Sequence, residues 1–197
     1  MKRPPIAAAL AAWLAACSPA SPPPAPAEPA APAPAAEPAA SVPTEAGPLL
    51  NLTPDGLALV DAGSGTSRAL AFGLDQAMAR QVVTAARGAP TEEGTNPECG
   101  AGPLDFARFA GDLTLWFQDG RFAGWALGPQ GAADLRTASG LGIGSTRAEL
   151  ESGYEARVEE TTLGQEFTAG SLSGILASAA PGARVEALWA GVGCIFR

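Results

Sequence analysis

Between Leu49 and Arg197 the 197-residue chain carries 17 carboxylates and 10 arginines, but no histidine, and its one lysine is Lys2. Without histidine there is no Ser-His or Cys-His nucleophile pair, no imidazole base and no ordinary zinc site. Without lysine beyond Lys2 there is no phosphate-loop cation, Schiff base or Ser-Lys pair. What remains for catalysis is two-carboxylate hydrolysis, with Glu92, Glu93, Glu98, Asp105, Glu159, Glu160 and Glu166 as the candidates. Glu92-Glu93 and Glu159-Glu160 fall in Gly/Thr-rich stretches and read as solvated loop charge. No D-x-[DN]-x-[DN]-G calcium loop is present. No residue is therefore assigned a catalytic role, and neither a metal nor a cofactor is expected.

Two cysteines, Cys99 and Cys194, lie in the globular part without C-x-x-C spacing. In an exported chain such a pair is expected to form a structural disulfide. It would close a loop of about 96 residues and contribute about 4 to 5 kcal/mol on the chain-entropy account. The other residues with binding potential are aromatic. Leu113 to Trp125, LTLWFQDGRFAGW, holds Trp116 and Trp125 on either side of Asp119-Gly120. Asp-Gly between apolar runs predicts a type I′ hairpin. A plain two-residue turn pairs Trp116 with Ala123, Leu115 with Gly124 and Thr114 with Trp125. Leu113, Leu115, Phe117, Phe122 and Ala126 then form the core face, and Trp116 and Trp125 share the other with Arg121. That second face is either a partner-binding surface, with Trp116, Arg121 and Trp125 as its residues, or buried core.

Other elements must position this hairpin. Leu49 to Val60 reads as two short strands around Pro54-Asp55-Gly56. From Asp75 to Gly88 the spacing predicts a helix with Met78, Val82, Ala85 and Ala86 on one face. Thr91 to Pro103 reads as a loop carrying Cys99. Gly140 to Gly144 reads as a tight turn leading into a second, short helix, opened by a Thr146/Glu149 capping box. Leu172–Ala177 and Arg184–Trp189 then give another strand pair.

The first 48 residues are of another kind. A basic head, Lys2-Arg3, precedes the apolar run Ile6–Leu14 and then Leu14-Ala15-Ala16-Cys17. The apolar run is well below the ~20 residues a spanning helix needs, so it reads as a signal peptide. Residues 18–48 contain 11 prolines in 31 residues. That composition cannot bury enough surface to offset ordering entropy, so a disordered tether with a reach of about 95 Å is expected. Removal of the leader with Lys2 and Arg3 takes the net charge from −8 to −10. An acidic surface argues against nucleic acid as a partner.

Two resemblances add to these readings. Leu14-Ala-Ala-Cys17 resembles the bacterial lipobox, which implies lipid on Cys17 and attachment to a membrane; Ser18 in the next position favours the outer membrane. Phe72-Gly-Leu-Asp75 and Gly142-Ile-Gly-Ser-Thr-Arg-Ala-Glu-Leu150 resemble the F-G-M-T-R-x-x-V opening of repeat units in β-lactamase-inhibitor proteins and small outer-membrane-assembly lipoproteins. Leu115-Trp-Phe-Gln-Asp-Gly-Arg121 is similar to the L-W-F-x-D-G strand of the inhibitors. The whole is also similar to proteobacterial lipoproteins of no established activity. The expectation is thus a signal peptide (1–16), a lipidated Cys17 with a tether (17–48) and an α+β domain (49–197). The resemblance implies two diverged helix-plus-sheet repeats in that domain, about 49–130 and 131–197. The expected role is an envelope lipoprotein that binds or scaffolds a protein partner, with a carboxylate-based envelope hydrolase as the alternative.

Overall fold

The computed structural model describes residues 48–195. The leader, the expected lipidation at Cys17 and residues 17–47 of the tether lie outside the described residues. Among the latter, two helices accompany a three-stranded and an eight-stranded antiparallel sheet, an α+β architecture.

Pro54-Asp55-Gly56 turns the chain between β1 (Leu49–Thr53) and β2 (Gly56–Val60), as the turn residues dictate, and β3 (Ser67–Ala71) completes the small meander. Gly56 must be glycine, since its φ is 147° and a Cβ there would lie 2.1 Å from the Leu70 carbonyl oxygen. Helix α1 (Gln76–Arg87) starts where Asp75 accepts from the N–H groups of Ala77 and Met78, and stops at Gly88, whose φ is 83°. Its buried residues are Ala79 and Val83, one turn apart, while Met78 is 53 % exposed. The apolar face is therefore rotated from the expected one: small Ala79 and β-branched Val83 are the pair that faces the sheet.

The large sheet consists of two four-stranded meanders laid side by side. The first is β4 (Glu92–Asn96), β5 (Leu104–Phe109), β6 (Leu113–Gln118) and β7 (Arg121–Leu127). After helix α2 (Arg147–Gly153) come β8 (Arg157–Thr161), β9 (Gly164–Ala169), β10 (Leu172–Leu176) and β11 (Val185–Gly191). The spatial order is β4-β5-β6-β7-β11-β10-β9-β8, so the last strand of each meander meets the other at the middle. The segment read as a loop from Thr91 contains an edge strand, β4, and Glu159-Glu160 lies in the other edge strand, β8. These glutamate pairs are not loop charge: they occupy the two outer edges, where charge discourages pairing with another sheet.

The hairpin β6–β7 has the expected turn, with positive φ at both Asp119 (51°) and Gly120 (72°). Its register is different. Gln118 faces Arg121 and Phe117 faces Phe122, but Trp116 faces Gly124 and Leu115 faces Trp125, because a bulge intervenes between Trp116 and Phe117. Ala123 is the extra residue on β7. One inserted residue moves everything beyond it to the opposite face. Trp125 accordingly joins Leu113, Leu115, Phe117 and Phe122 in the core, and Ala126 leaves it.

That inner face is covered by α1 and by side chains of the small sheet, with Leu135, Leu141 and Leu150 closing the second half. Trp125 is fully buried, and its indole N–H donates to the Thr53 carbonyl at 3.0 Å, joining hairpin and small meander. The buried polar atom is thereby satisfied where an unpaired one would cost about 1–3 kcal/mol. The expected Cys99–Cys194 disulfide is present, with the two Cα atoms 4.9 Å apart.

Candidate functional site

Residues directly opposite one another on adjacent strands share a face, so the register defines what the outward face of the sheet presents. One unbroken row crosses all eight strands: Glu92, Arg108, Thr114, Ala126, Trp189, Ser173, Thr168 and Arg157. Trp189 stands at its centre, half-buried, between the small side chains of Ala126 and Ser173. Ile175 and Ala187 pair in the next row, beside Glu166 and Glu159. On the other side of Trp189 lies the row Phe106, Trp116, Gly124 and Gly191. The Phe106 and Trp116 rings pack at 5.8 Å between centroids, tilted by 53°.

The glycines of that row are structural. A Cβ on Gly124 would stand 2.0 Å from the Val192 carbonyl oxygen, and one on Gly191 would stand 2.4 Å from that of Ala123. Only glycine allows the β7 and β11 backbones to meet at the bulge, where the Val192 N–H donates to the Ala123 carbonyl. Beyond Gly191 the chain passes over the first meander. Gly193 packs beside Trp116, Cys194 is bonded to Cys99, and the Asn96 side-chain amide donates to the Cys194 sulfur at 3.1 Å.

The three residues expected on one binding surface are thus not brought together. Trp125 is core. Trp116 is on the outward face but partly covered by the chain near Gly193, with its indole nitrogen buried. Arg121 is exposed at the end of the hairpin, where its guanidinium donates to the Gly73 carbonyl at 3.3 Å. The cause is the single bulge at Ala123, which separates the two tryptophans. Trp189 was the residue that sequence reasoning missed. Its signal was present in the strand Val185-Glu-Ala-Leu-Trp-Ala-Gly191, where Leu188 and Ala190 alternate with it, but the strand's neighbours were needed to tell its outward face.

The candidate carboxylates are dispersed. Glu92 pairs with Arg108 at 2.9 Å, Glu93 with Arg80, and Asp105 accepts from the Thr95 hydroxyl. Glu159 and Glu166 alone among the candidates face each other across paired strands, with Glu166 buried and Arg157 3.6 Å from Glu159. The cavity over them, lined also by Thr161 and Thr168, measures about 120 Å³. Among the described residues no three Cys, Asp or Glu side chains are grouped as metal ligands. A second, larger cavity of about 520 Å³ opens where the 136–146 connection, α2 and the start of β11 meet. Glu149 lines it, its carboxyl held below the ordinary 4.5 first by the Thr146 backbone N–H and then by the Thr146 hydroxyl.

No protein-family model, curated protein or solved structure matches the chain.

Proposed function

We propose that the chain is an envelope lipoprotein, lipid-anchored at Cys17 on the periplasmic side of the outer membrane, whose domain holds a protein partner on the outward sheet face around Trp189. The single observation that carries the binding role is Trp189 itself: a large amphipathic ring standing between Ala126 and Ser173 at the centre of an eight-strand row whose ends are charged. An aromatic anchor inside a polar rim is the arrangement of an interface hot spot. Eight strands at about 4.8 Å spacing make a face about 34 Å wide, on the scale of the roughly 800 Å² each partner of a stable complex buries. The mature chain's charge of −10 favours a partner with a basic surface.

We read the two helix-plus-meander halves as diverged repeats. Supporting this, Gly73-Leu74-Asp75 and Gly144-Ser145-Thr146 make corresponding bonds. Gly73 N–H donates to the Phe122 carbonyl as Gly144 N–H does to that of Val185, and Arg121 and Arg184 each donate to the matching glycine carbonyl. The N-caps Asp75 and Thr146 bridge to Arg121 and Arg184 respectively.

The hydrolase alternative would have to work through Glu159 and Glu166, and the cavity over them is well below the ~300 Å³ at which ligand sites begin. The binding reading is tested by gentle isolation of the anchored protein from cells. Any co-isolating partner is expected to be lost from Trp189→Ser and from the surface variant Ser173→Arg, each weakening binding by about 30-fold, or 2 kcal/mol, for loss of a hot spot. Full retention by both folded variants would refute the assignment of this face.

A further inference from the structure

Among the described residues Arg68, Arg121, Arg136 and Arg184 are in no direct ion pair, and two of these, Arg136 and Arg184, act together on the single carboxylate of Glu149. Both line the 520 Å³ cavity, together with Tyr154, Ser139, Ser145 and Glu149. We infer that this cleft is a binding site for the carboxylate group of a small solute, of tripeptide size or less. It shares no residue with the outward sheet face.

The first argument is the fixed position of the cations. The Arg136 guanidinium donates to the Ala133 carbonyl at 2.8 Å, the Gly140 carbonyl at 2.9 Å and the Ser145 hydroxyl at 3.2 Å. Its stem is pressed by Gly142, where a Cβ would lie 3.0 Å from the Arg136 Cγ and 2.8 Å from the Leu135 carbonyl oxygen. Arg184 donates through Nη1 to the Gly144 carbonyl at 2.7 Å. A guanidinium has five N–H groups, so Arg136, with Nε and Nη1 engaged, keeps the two N–H groups of Nη2, and Arg184 keeps Nε and Nη2. Carboxylate is the acceptor whose two oxygens match the Nε–Nη2 fork of Arg184, with Arg136 Nη2 as a further donor.

The second argument is the direction of a hydroxyl chain. The Leu141 N–H donates to the Thr137 hydroxyl oxygen, the Thr137 and Ser139 hydroxyls are 3.1 Å apart, and Ser139 donates to the Tyr154 oxygen at 2.8 Å. With each proton handed forward, the Tyr154 O–H is the donor at the end of the chain, and Tyr154 lines the cleft. Glu149 does not cancel the two cations, since one charge stands against two. Its Oε2 is also occupied by the Thr146 N–H and hydroxyl. The cleft therefore offers surplus charge and surplus donors to an acceptor-rich anion. Its volume is in the ~300–1,000 Å³ range of small-molecule sites.

Titration calorimetry on the purified full chain decides this, with succinate, tri-alanine and tri-alanine amide as probes at matched ionic strength. Saturable binding of succinate or tri-alanine is expected, with the amide weaker by about tenfold or more, the loss of one charge-assisted bond. Binding of succinate alone would identify free acids as the source of the carboxylate, and binding of tri-alanine alone a peptide terminus. Arg184→Gln should weaken the bound probe about tenfold. Tyr154→Phe, which keeps the ring and its packing, should weaken it about fivefold. No saturable binding by either acid, equal binding of the amide, or wild-type binding by both variants would overturn the site.

Discussion

At position 124 one methyl group decides whether the sheet can close. Gly124→Ala would push a Cβ to within 2.0 Å of the Val192 carbonyl oxygen and 2.7 Å of its nitrogen, both backbone atoms that cannot rotate away. We expect the variant to lose about 2–3 kcal/mol in denaturant unfolding, as for an overpacked core. Glu149 makes a pH-dependent contribution. Because the Thr146 N–H, and then its hydroxyl, holds the folded carboxyl below 4.5, the bond stabilises the domain above that pH and is lost as the pH falls through the lower, folded value. Thermal melts of wild type and Glu149→Ala should differ by a constant amount near neutral pH, and the gap should narrow below pH 4.5. A gap that widens on acidification would contradict the cap. Asp61, held low by the Ser64 N–H in the β2–β3 turn, adds a change of the same sign.

Strands and helices were legible where side chains and turn residues agree. Pro54-Asp55-Gly56, Asp119-Gly120, the Asp75 cap and the Thr146/Glu149 box each mark an element boundary with local chemistry. The bulge at Ala123 has no such mark: it arises from the close passage of Val192, nearly 70 residues away in sequence, and so the register and the fate of Trp125 could not be read locally. Edge strands were hidden for the opposite reason. Glu-Glu-Gly-Thr-Asn96 and Arg-Val-Glu-Glu-Thr161 look like solvated loops because exposed edges require charge. The strands' tie to the C-terminal segment is covalent. Replacing both cysteines, Cys99→Ser with Cys194→Ser, should lower unfolding free energy by about 4 to 5 kcal/mol on the chain-entropy account. A reduction below 1 kcal/mol would mean that the 95-residue separation is already constrained in the unfolded chain.

At the scale of the whole molecule, the function proposed above assigns anchoring and recognition to separate parts of the sequence: the Pro/Ala stretch 18–48, with 11 prolines in 31 residues, would be the tether, and the domain would meet the partner. Among the described residues no helix is long and apolar enough to cross a membrane. The domain covers one face of its large sheet with helix and meander and presents the other with Trp189 central. On the proposed binding function, the acidic charge predicts that the rate of complex formation with a basic partner falls as ionic strength rises. The most direct test of that face is photo-crosslinking in living cells, with the reactive residue placed at Ser173, at Ile175 and, as a control, at exposed Met78 on α1. Our account predicts one dominant adduct from both sheet positions, none from position 78, and loss of that adduct when Trp189→Ser is added. The same adducts from Met78, or none from the sheet in a folded and anchored protein, would contradict it.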